Sequence, residues 1–309
     1  MQLASEAKAF IRRRGALVKL KKSIALAAFA ALVVAAVALT GCSGGTPTSG
    51  SGSTSGSNLS GTISVSGSDT MVNMAGAWAQ KFMTENPDVQ IAVKGGGSGV
   101  GIAALLNKTT DVADASRKVK PEEISQGATA GVNPVDTVVA KDGVTIIVNS
   151  ANAVSDITTT TLGKIYRGEV TNWKDVGGAD APIVLLGRDS SSGTYSFIND
   201  EIIGKGKTYS KSMQSLQSNQ AIVDQVGKDA NAIGYVGLGY DKPTIKVLTV
   251  SGVKASVPSV LDGTYALSRD LNMYTNGEPT GATKAYIAWI LGAEGQKIVA
   301  EQGFVPLKQ

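Results

Sequence analysis

Gly187-Arg188-Asp189-Ser190-Ser191-Ser192-Gly193-Thr194 sets one guanidinium, a run of hydroxyls and a glycine-opened backbone between a strand-like run, Pro182 to Leu186, and a helix-like run, Tyr195 to Ile203. A strand that turns through such a loop into a helix is the repeating unit of α/β architecture. The same loop holds the parts of an oxyanion site. An Arg presents a planar fork of donors that meets two oxygens at once, and the first N–H groups of a helix have no internal partner and carry partial positive charge. Taken alone, the octapeptide is more simply a Ser/Gly-rich surface loop. Two further segments of like design change that.

Val65-Ser66-Gly67-Ser68-Asp69-Thr70-Met71 is a strand that breaks at Gly67 and feeds a helix, and its Ser, Asp and Thr are also ordinary N-caps. Lys94-Gly95-Gly96-Gly97-Ser98-Gly99-Val100-Gly101 again runs from strand to helix, without the lysine of a P-loop or a convincing acid for a dinucleotide. Three hydroxyl-bearing helix starts after strands can converge on one anion at the carboxyl ends of the strands. A fourth candidate is Asp111 to Lys118, DVADASRK, although on this segment alone Arg117 and Lys118 read more simply as a solvated basic pair.

Outward from these segments the pattern alternates. Thr62 to Val65, Val89 to Val93, a β-branched stretch within Thr137 to Val148, and Ala232 to Val236 read as strands; Met71 to Phe82, Ile102 to Leu106 and Gln220 to Val226 read as helices. Ala282 to Gln302 is predicted as one long C-terminal helix with Trp289, Ile290 and Leu291 toward the core. The expected fold class is α/β. About 250 residues suffice for an apolar core and allow two lobes, with Thr137–Val148 and a turn-like Ser251–Leu267 region as the expected crossings.

The chain of 309 residues begins with a segment of another kind. Residues 1 to 22 carry seven Lys and Arg against Glu6 alone, and Ile24 to Leu39 is an unbroken apolar run of 16. This reads as a signal peptide, residues 1–41. Leu39-Thr40-Gly41-Cys42 has the pattern of a lipobox and makes Cys42 the expected lipid-bearing residue; an uncleaved membrane anchor is the alternative. Residues 42–60, Gly/Ser/Thr-rich, read as a flexible tether with a root-mean-square reach of about 23 Å. The domain is therefore expected outside the cytoplasm, tethered to a membrane.

Without residues 1–41, 22 basic residues face 24 acidic ones, a formal net charge of −2 in place of +4. The high pI belongs to the leader and gives no argument for nucleic acid. Cys42 is the only cysteine, and the chain has no histidine, which excludes Ser-His-Asp and Cys-His catalysis and His-based metal sites.

The order GSDTM (67–71), GGGSGVGIAALL (95–106), DVADASRKVKPEE (111–123), VVAKDGVTIIVN (138–149), IYRGEVTNWKDVGG (165–178), GRDSSSGTY (187–195), AIGYVGLGY (232–240) and ILGAEGQKIVAEQGFVPL (290–307) resembles the PstS phosphate-binding proteins of phosphate ABC importers over nearly all of 61–307. The resemblance implies a two-lobed, type II periplasmic-binding-protein fold with a hinge and an interlobe cleft: lobe 1 from 61–140 plus 266–309, lobe 2 from 141–265. It implies a monomeric, non-enzymatic lipoprotein without cofactors that binds inorganic phosphate and meets the membrane permease subunits of an importer.

Carried over by residue, the resemblance suggests Ser68 or Thr70 with the Met71 backbone N–H, then Ser98, Ser116, Arg188, Ser192, Gly193 and Thr194 as donors. One departure stands out: many family members place an Asp after the Ser that corresponds to Ser116, to accept the proton of monohydrogen phosphate, and here that position is Arg117. Asp69 is the expected replacement acceptor, with Arg117 offsetting its charge. A site with donors alone would instead suit sulfate, molybdate or tungstate. An extracellular phosphatase lacks the residues it would need, and a phosphate-sensing surface protein would use the same site.

Overall fold

The computed structural model describes residues 59–307. Cys42, the segments before it and the tether through residue 58 lie outside the described residues, and with them the lipid-anchor expectation. Among the described residues no helix is long and apolar enough to cross a membrane.

Strands and helices alternate as the sequence pattern requires. The strands are β1 (Gly61–Gly67), β2 (Val89–Lys94), β3 (Val112–Ala115), β4 (Pro134–Asn149), β5 (Asp156–Ile157), β6 (Val184–Arg188), β7 (Gln214–Leu216), β8 (Ala232–Gly237), β9 (Ile245–Val247), β10 (Thr249–Val250) and β11 (Ser268–Asn276). Between them lie α1 (Val72–Glu85), α2 (Ser98–Leu106), α3 (Pro121–Ala130), α4 (Thr159–Arg167), α5 (Gly193–Ile198), α6 (Asn219–Lys228) and α7 (Val257–Leu261), followed after β11 by α8 (Gly281–Ile290) and α9 (Ala293–Glu301).

One sheet runs in the order β2-β1-β3-β11-β4-β8-β6-β7, with β9 also paired to β4. β1 is parallel to β2 and β3, and β6 is parallel to β7 and β8. The sixteen-residue β4 joins these two groups: Pro134–Gly143 pairs antiparallel with β11, and Val144–Val148 pairs antiparallel with β8. Its Val, Thr and Ile suit a pleated, buried surface, and its alternate side chains enter different cores. Ile147 joins the core of Trp78, Phe82, Met273 and Tyr286, whereas Ile146 and Val148 join that of Tyr166, Trp173, Tyr235 and Tyr265. A third cluster, with Ile102, Leu105 and Tyr274, covers the other face of β3.

Three sequence expectations need correction. The C-terminal helix is two helices, because Gly292 is extended (φ −81, ψ 177) and restarts the chain as the N-cap of α9. The helix expected to run on to Ile203 ends as α-helix at Ile198 and continues as a π-helical turn, Asn199–Ile203. Ser251–Leu267 contains α7, opened by a Ser256/Ser259 capping box, before the chain enters β11.

Candidate functional site

Four strands end in polar loops that meet: β1, β2 and β3 of one parallel group, and β6 of the oppositely directed group on the far side of β4. β1 leads to Ser68-Asp69-Thr70 ahead of α1, β2 to Gly95–Gly97 ahead of α2, β3 to Ser116, and β6 to Arg188–Ser192 ahead of α5. The first break is at Gly67, whose φ of +142 only glycine adopts readily and where a Cβ would strike the Asp114 carbonyl. That close approach lets Ser68 N donate to Asp114 O (2.8 Å) and Gly97 N to Gly67 O (2.8 Å), which fastens the first three loops together. The fourth is fastened by Gly99 N donating to Ser191 O (2.9 Å) and Ser191 Oγ donating to Gly96 O (3.0 Å).

The loops converge on a buried cluster of hydroxyls. Thr70 Oγ1 and Thr194 Oγ1 are 3.1 Å apart, and Ser98 Oγ and Ser116 Oγ are 3.3 Å apart. Ser116 N donates to Ser98 Oγ at 3.0 Å. Gly193 closes the group: a Cβ there would lie 2.6 Å from Ser116 Oγ and closer still to Ser98 Oγ. Ser192 caps α5, its Oγ accepting from Thr194 N and Tyr195 N and keeping its own O–H to donate. Ser68, Thr70, Ser98, Ser116, Ser192 and Thr194 are all buried.

Arg188 is 1 % exposed. Its Nε and Nη2 donate to the carbonyls of Leu216 (3.2 Å) and Gln217 (2.7 Å) at the end of β7, which fixes the fork. Nη1 lies 3.2 Å from Asp69 Oδ2. Ser68 Oγ has no hydrogen-bond partner among the described residues, and Arg188 Nη1 meets Asp69 as an ion pair without hydrogen-bond geometry. A buried donor left unmade costs about 1–3 kcal/mol, more when charged, so both mark a place for an oxygen-rich ligand.

Two of the expected residues have other duties. Met71 N donates to Ser68 O at 3.2 Å and its side chain enters the core, so that N–H is turned into the loop. Arg117 grips both oxygens of Glu123 (2.8 and 2.7 Å) and donates to Lys118 O from its terminal nitrogens, which ties it to the start of α3 and leaves only its buried Nε without a partner among the described residues. It makes no ion pair with Asp69; Arg188 does. Nor is Asp69 a helix cap, since α1 starts from Met71 with no side-chain cap.

Several residues of the site were not singled out in the sequence, although Asp142, Tyr235 and Tyr240 lie within segments that carry the resemblance. Asn219, first in α6, donates to Asp69 Oδ2 from its backbone N (2.8 Å) and its Nδ2 (2.7 Å), and Tyr240 Oη donates to Asp69 O (2.9 Å). Arg269 on β11 donates to Asp142 on β4 from Nε (2.9 Å) and Nη2 (2.7 Å), and both are buried. Burial pushes the Arg269 guanidinium below its ordinary range, and Asp142 beside it opposes that shift. A hint was available in Asp142, a carboxylate inside a β-branched strand. Beneath the site, Tyr235 Oη accepts from Arg188 N (3.0 Å), and burial pushes this phenol up to about 12. Each of the three guanidiniums, Arg117, Arg188 and Arg269, faces a carboxylate. An anion here would be held by directed donors rather than by net positive charge.

Comparisons with known proteins place the chain in a family. Residues 50–294 match the family model for the PBP superfamily domain. The phosphate-binding protein PstS of Borreliella burgdorferi is 33 % identical over 258 residues, covering 80 % of this chain and 90 % of that one. The chain belongs to the PstS family. Another member, the phosphate-binding protein PstS of Bacillus subtilis, is 34 % identical over 252 residues, covering 80 % of this chain and 81 % of its own. Among solved structures related to PstS, a protein described as a phosphate ABC transporter substrate-binding protein, crystallised with bound phosphate, from Clostridium perfringens is 32 % identical with a TM-score of 0.76, over 80 % of this chain and all of that one. The fold is accordingly the mixed α/β fold of the periplasmic-binding-protein class.

Proposed function

We propose that this protein is an extracytoplasmic solute-binding lipoprotein that captures inorganic phosphate and hands it to the membrane permease of an ABC importer. The observation that carries the reading is the convergence of Ser68, Thr70, Ser98, Ser116, Arg188, Ser192, Gly193 and Thr194 in loops from both strand groups, with Ser68 Oγ short of a partner and Arg188 Nη1 held only by its ion pair with Asp69. A phosphate entering this cluster exchanges water for charge-assisted hydrogen bonds worth about 1.5–3 kcal/mol each. No bond of the anion is broken; with no histidine in the chain, nothing at the site suits hydrolysis.

In this reading 61–140 plus 266–309 form one lobe and 141–265 the other, with β4 and the entry to β11 as the crossings. The contacts of Ser191 with Gly96 and Gly99 would close the lobes over the anion. Cys42 would carry the lipid, and the protein would act as a monomer. Asp69, already bound through Oδ2 to Asn219, has Oδ1 to offer the proton of monohydrogen phosphate.

Arg117, at the position where the family resemblance leads one to expect an acceptor, favours a second reading: a fully deprotonated oxyanion such as sulfate or molybdate. Calorimetric titration of the purified protein with phosphate, arsenate, sulfate and molybdate decides between them. Phosphate should bind tightest, arsenate next; tighter binding of sulfate or molybdate would overturn the phosphate assignment.

A further inference from the structure

We infer that Arg269 is a positioning residue of the anion site, acting through Thr70 and the Ser116 carbonyl while anchored on Asp142. The inference rests on the reading that the hydroxyl cluster takes a tetrahedral oxyanion.

Arg269 and Asp142 stand directly opposite each other in the β11/β4 ladder. Both Nε and Nη2 go to one oxygen, Oδ2, while Oδ1 accepts Leu238 N at 2.9 Å, so the carboxylate is held on both sides. An ion pair kept only for stability would need no more. Yet Nη1 donates to Ser116 O (3.2 Å), and Nη2 reaches Thr70 Oγ1 (3.4 Å). The guanidinium carbon also lies 5.5 Å from the centroid of the Phe197 ring on α5, a cation–π distance.

These contacts have a chemical consequence. A cation donating to a hydroxyl oxygen occupies a lone pair, turns the O–H away from itself, and strengthens it as a donor. Thr70 Oγ1 also accepts from Asn219 Nδ2 (3.5 Å), and its hydroxyl partner is Thr194 Oγ1 at 3.1 Å. Arg269 therefore orders the Thr70–Thr194 pair and holds the end of β3, where Ser116 meets Ser98. The arrangement is tight: a Cβ on Gly237 would lie 2.8 Å from Thr70 Cγ2 and 3.1 Å from Asp142 Oδ2. A lysine, with one ammonium in place of a fork, cannot serve Asp142, Thr70 and Ser116 together.

The test is a double-mutant cycle on anion affinity. Phosphate is titrated into wild type, Arg269→Lys, Thr70→Val and the double variant, with the melting temperature of each recorded. Arg269→Lys should weaken phosphate by about tenfold, the loss of one charge-assisted hydrogen bond, and in the Thr70→Val background it should cost clearly less, the remainder being what passes through the Ser116 carbonyl. Effects that multiply, or a lowered melting temperature with affinity unchanged, would overturn the positioning role. If Arg269→Lys does not fold, Asp142→Asn, which keeps the acceptor for Leu238 N and loosens the Arg269 anchor, is put through the same cycle with the same criteria. A wild type that binds sulfate or molybdate in place of phosphate overturns the phosphate reading alone, and the cycle is then decided with that ion. A wild type that binds none of these anions overturns both.

Discussion

Nη1 of Arg188, at the end of β6, lies 3.2 Å from Oδ2 of Asp69, in the loop after β1. The pair joins two loops separated by more than a hundred residues and sets the arginine fork before any ligand arrives. Since Nε and Nη2 already hold the Leu216 and Gln217 carbonyls, a ligand finds the guanidinium preorganised. Arg188→Lys keeps the charge and loses the fork. Phosphate affinity should fall by about 1.5–3 kcal/mol, roughly ten- to 150-fold. Calorimetry measures it, with circular dichroism to check the fold; wild-type affinity in this variant would remove Arg188 from the site.

Gly193→Ala asks whether the space between the serines is the anion's place. The added methyl would crowd Ser98 Oγ and Ser116 Oγ, whereas residue 193 opens a helix that alanine favours. Binding should drop at least about a hundredfold, the loss of two donors, while the far-UV spectrum is kept. An alanine variant that binds as well as wild type would place the anion elsewhere.

Asp69→Asn replaces an acceptor-only carboxylate with an amide that can turn a donor toward the ligand. Phosphate should weaken by about tenfold and sulfate less, so that discrimination between them narrows. Arg117→Met is the contrast: both of its terminal nitrogens are engaged by Glu123, so both anions should keep their affinities to within about twofold while stability falls by up to about 3–5 kcal/mol, since a largely buried pair loses one partner. An unchanged phosphate-to-sulfate ratio in Asp69→Asn would leave this carboxylate as a support for Arg188 and Asn219 only.

Asp114 gives a pH dependence of stability. Burial pushes its carboxyl up from 3.8 to about 8, and Oδ1 has no partner among the described residues. The unfolded chain loses this proton near 3.8 and the folded chain keeps it to about 8, so folding takes up a proton between those values. Stability from this group is thus fully present below 3.8 and is lost as pH rises toward about 8, by at most about 1.4 kcal/mol per pH unit. Asp114→Asn cannot ionise. Urea unfolding at intervals between about pH 4 and about pH 8 should show the variant gaining on wild type as pH rises. A difference that stays flat with pH would mean that Asp114 is ionised in the fold.

The residue order alone determined the α/β alternation, the three strand-to-helix loops that carry Ser68, Ser98 and Ser192, and Arg188 as the expected cation. Those features are local: a β-branched run, a glycine that permits a turn and a hydroxyl at a helix start act within some ten residues. What the tertiary structure decided is which charges face which. Asp69 meets Asn219 across 150 residues and Asp142 meets Arg269 across 127, and neither separation is written in any motif. Arg117 and Arg269 are both arginines beside apolar strands, yet one is drawn to Glu123 on α3 and the other turned inward. Strand side chains alternate faces, so the β11/β4 register, which shifts between Leu271 and Asn272, sets Arg269 inward opposite Asp142 and leaves Asp270 to Lys141 near the surface. That register is settled by the packing of both faces at once, which no single segment of the chain specifies.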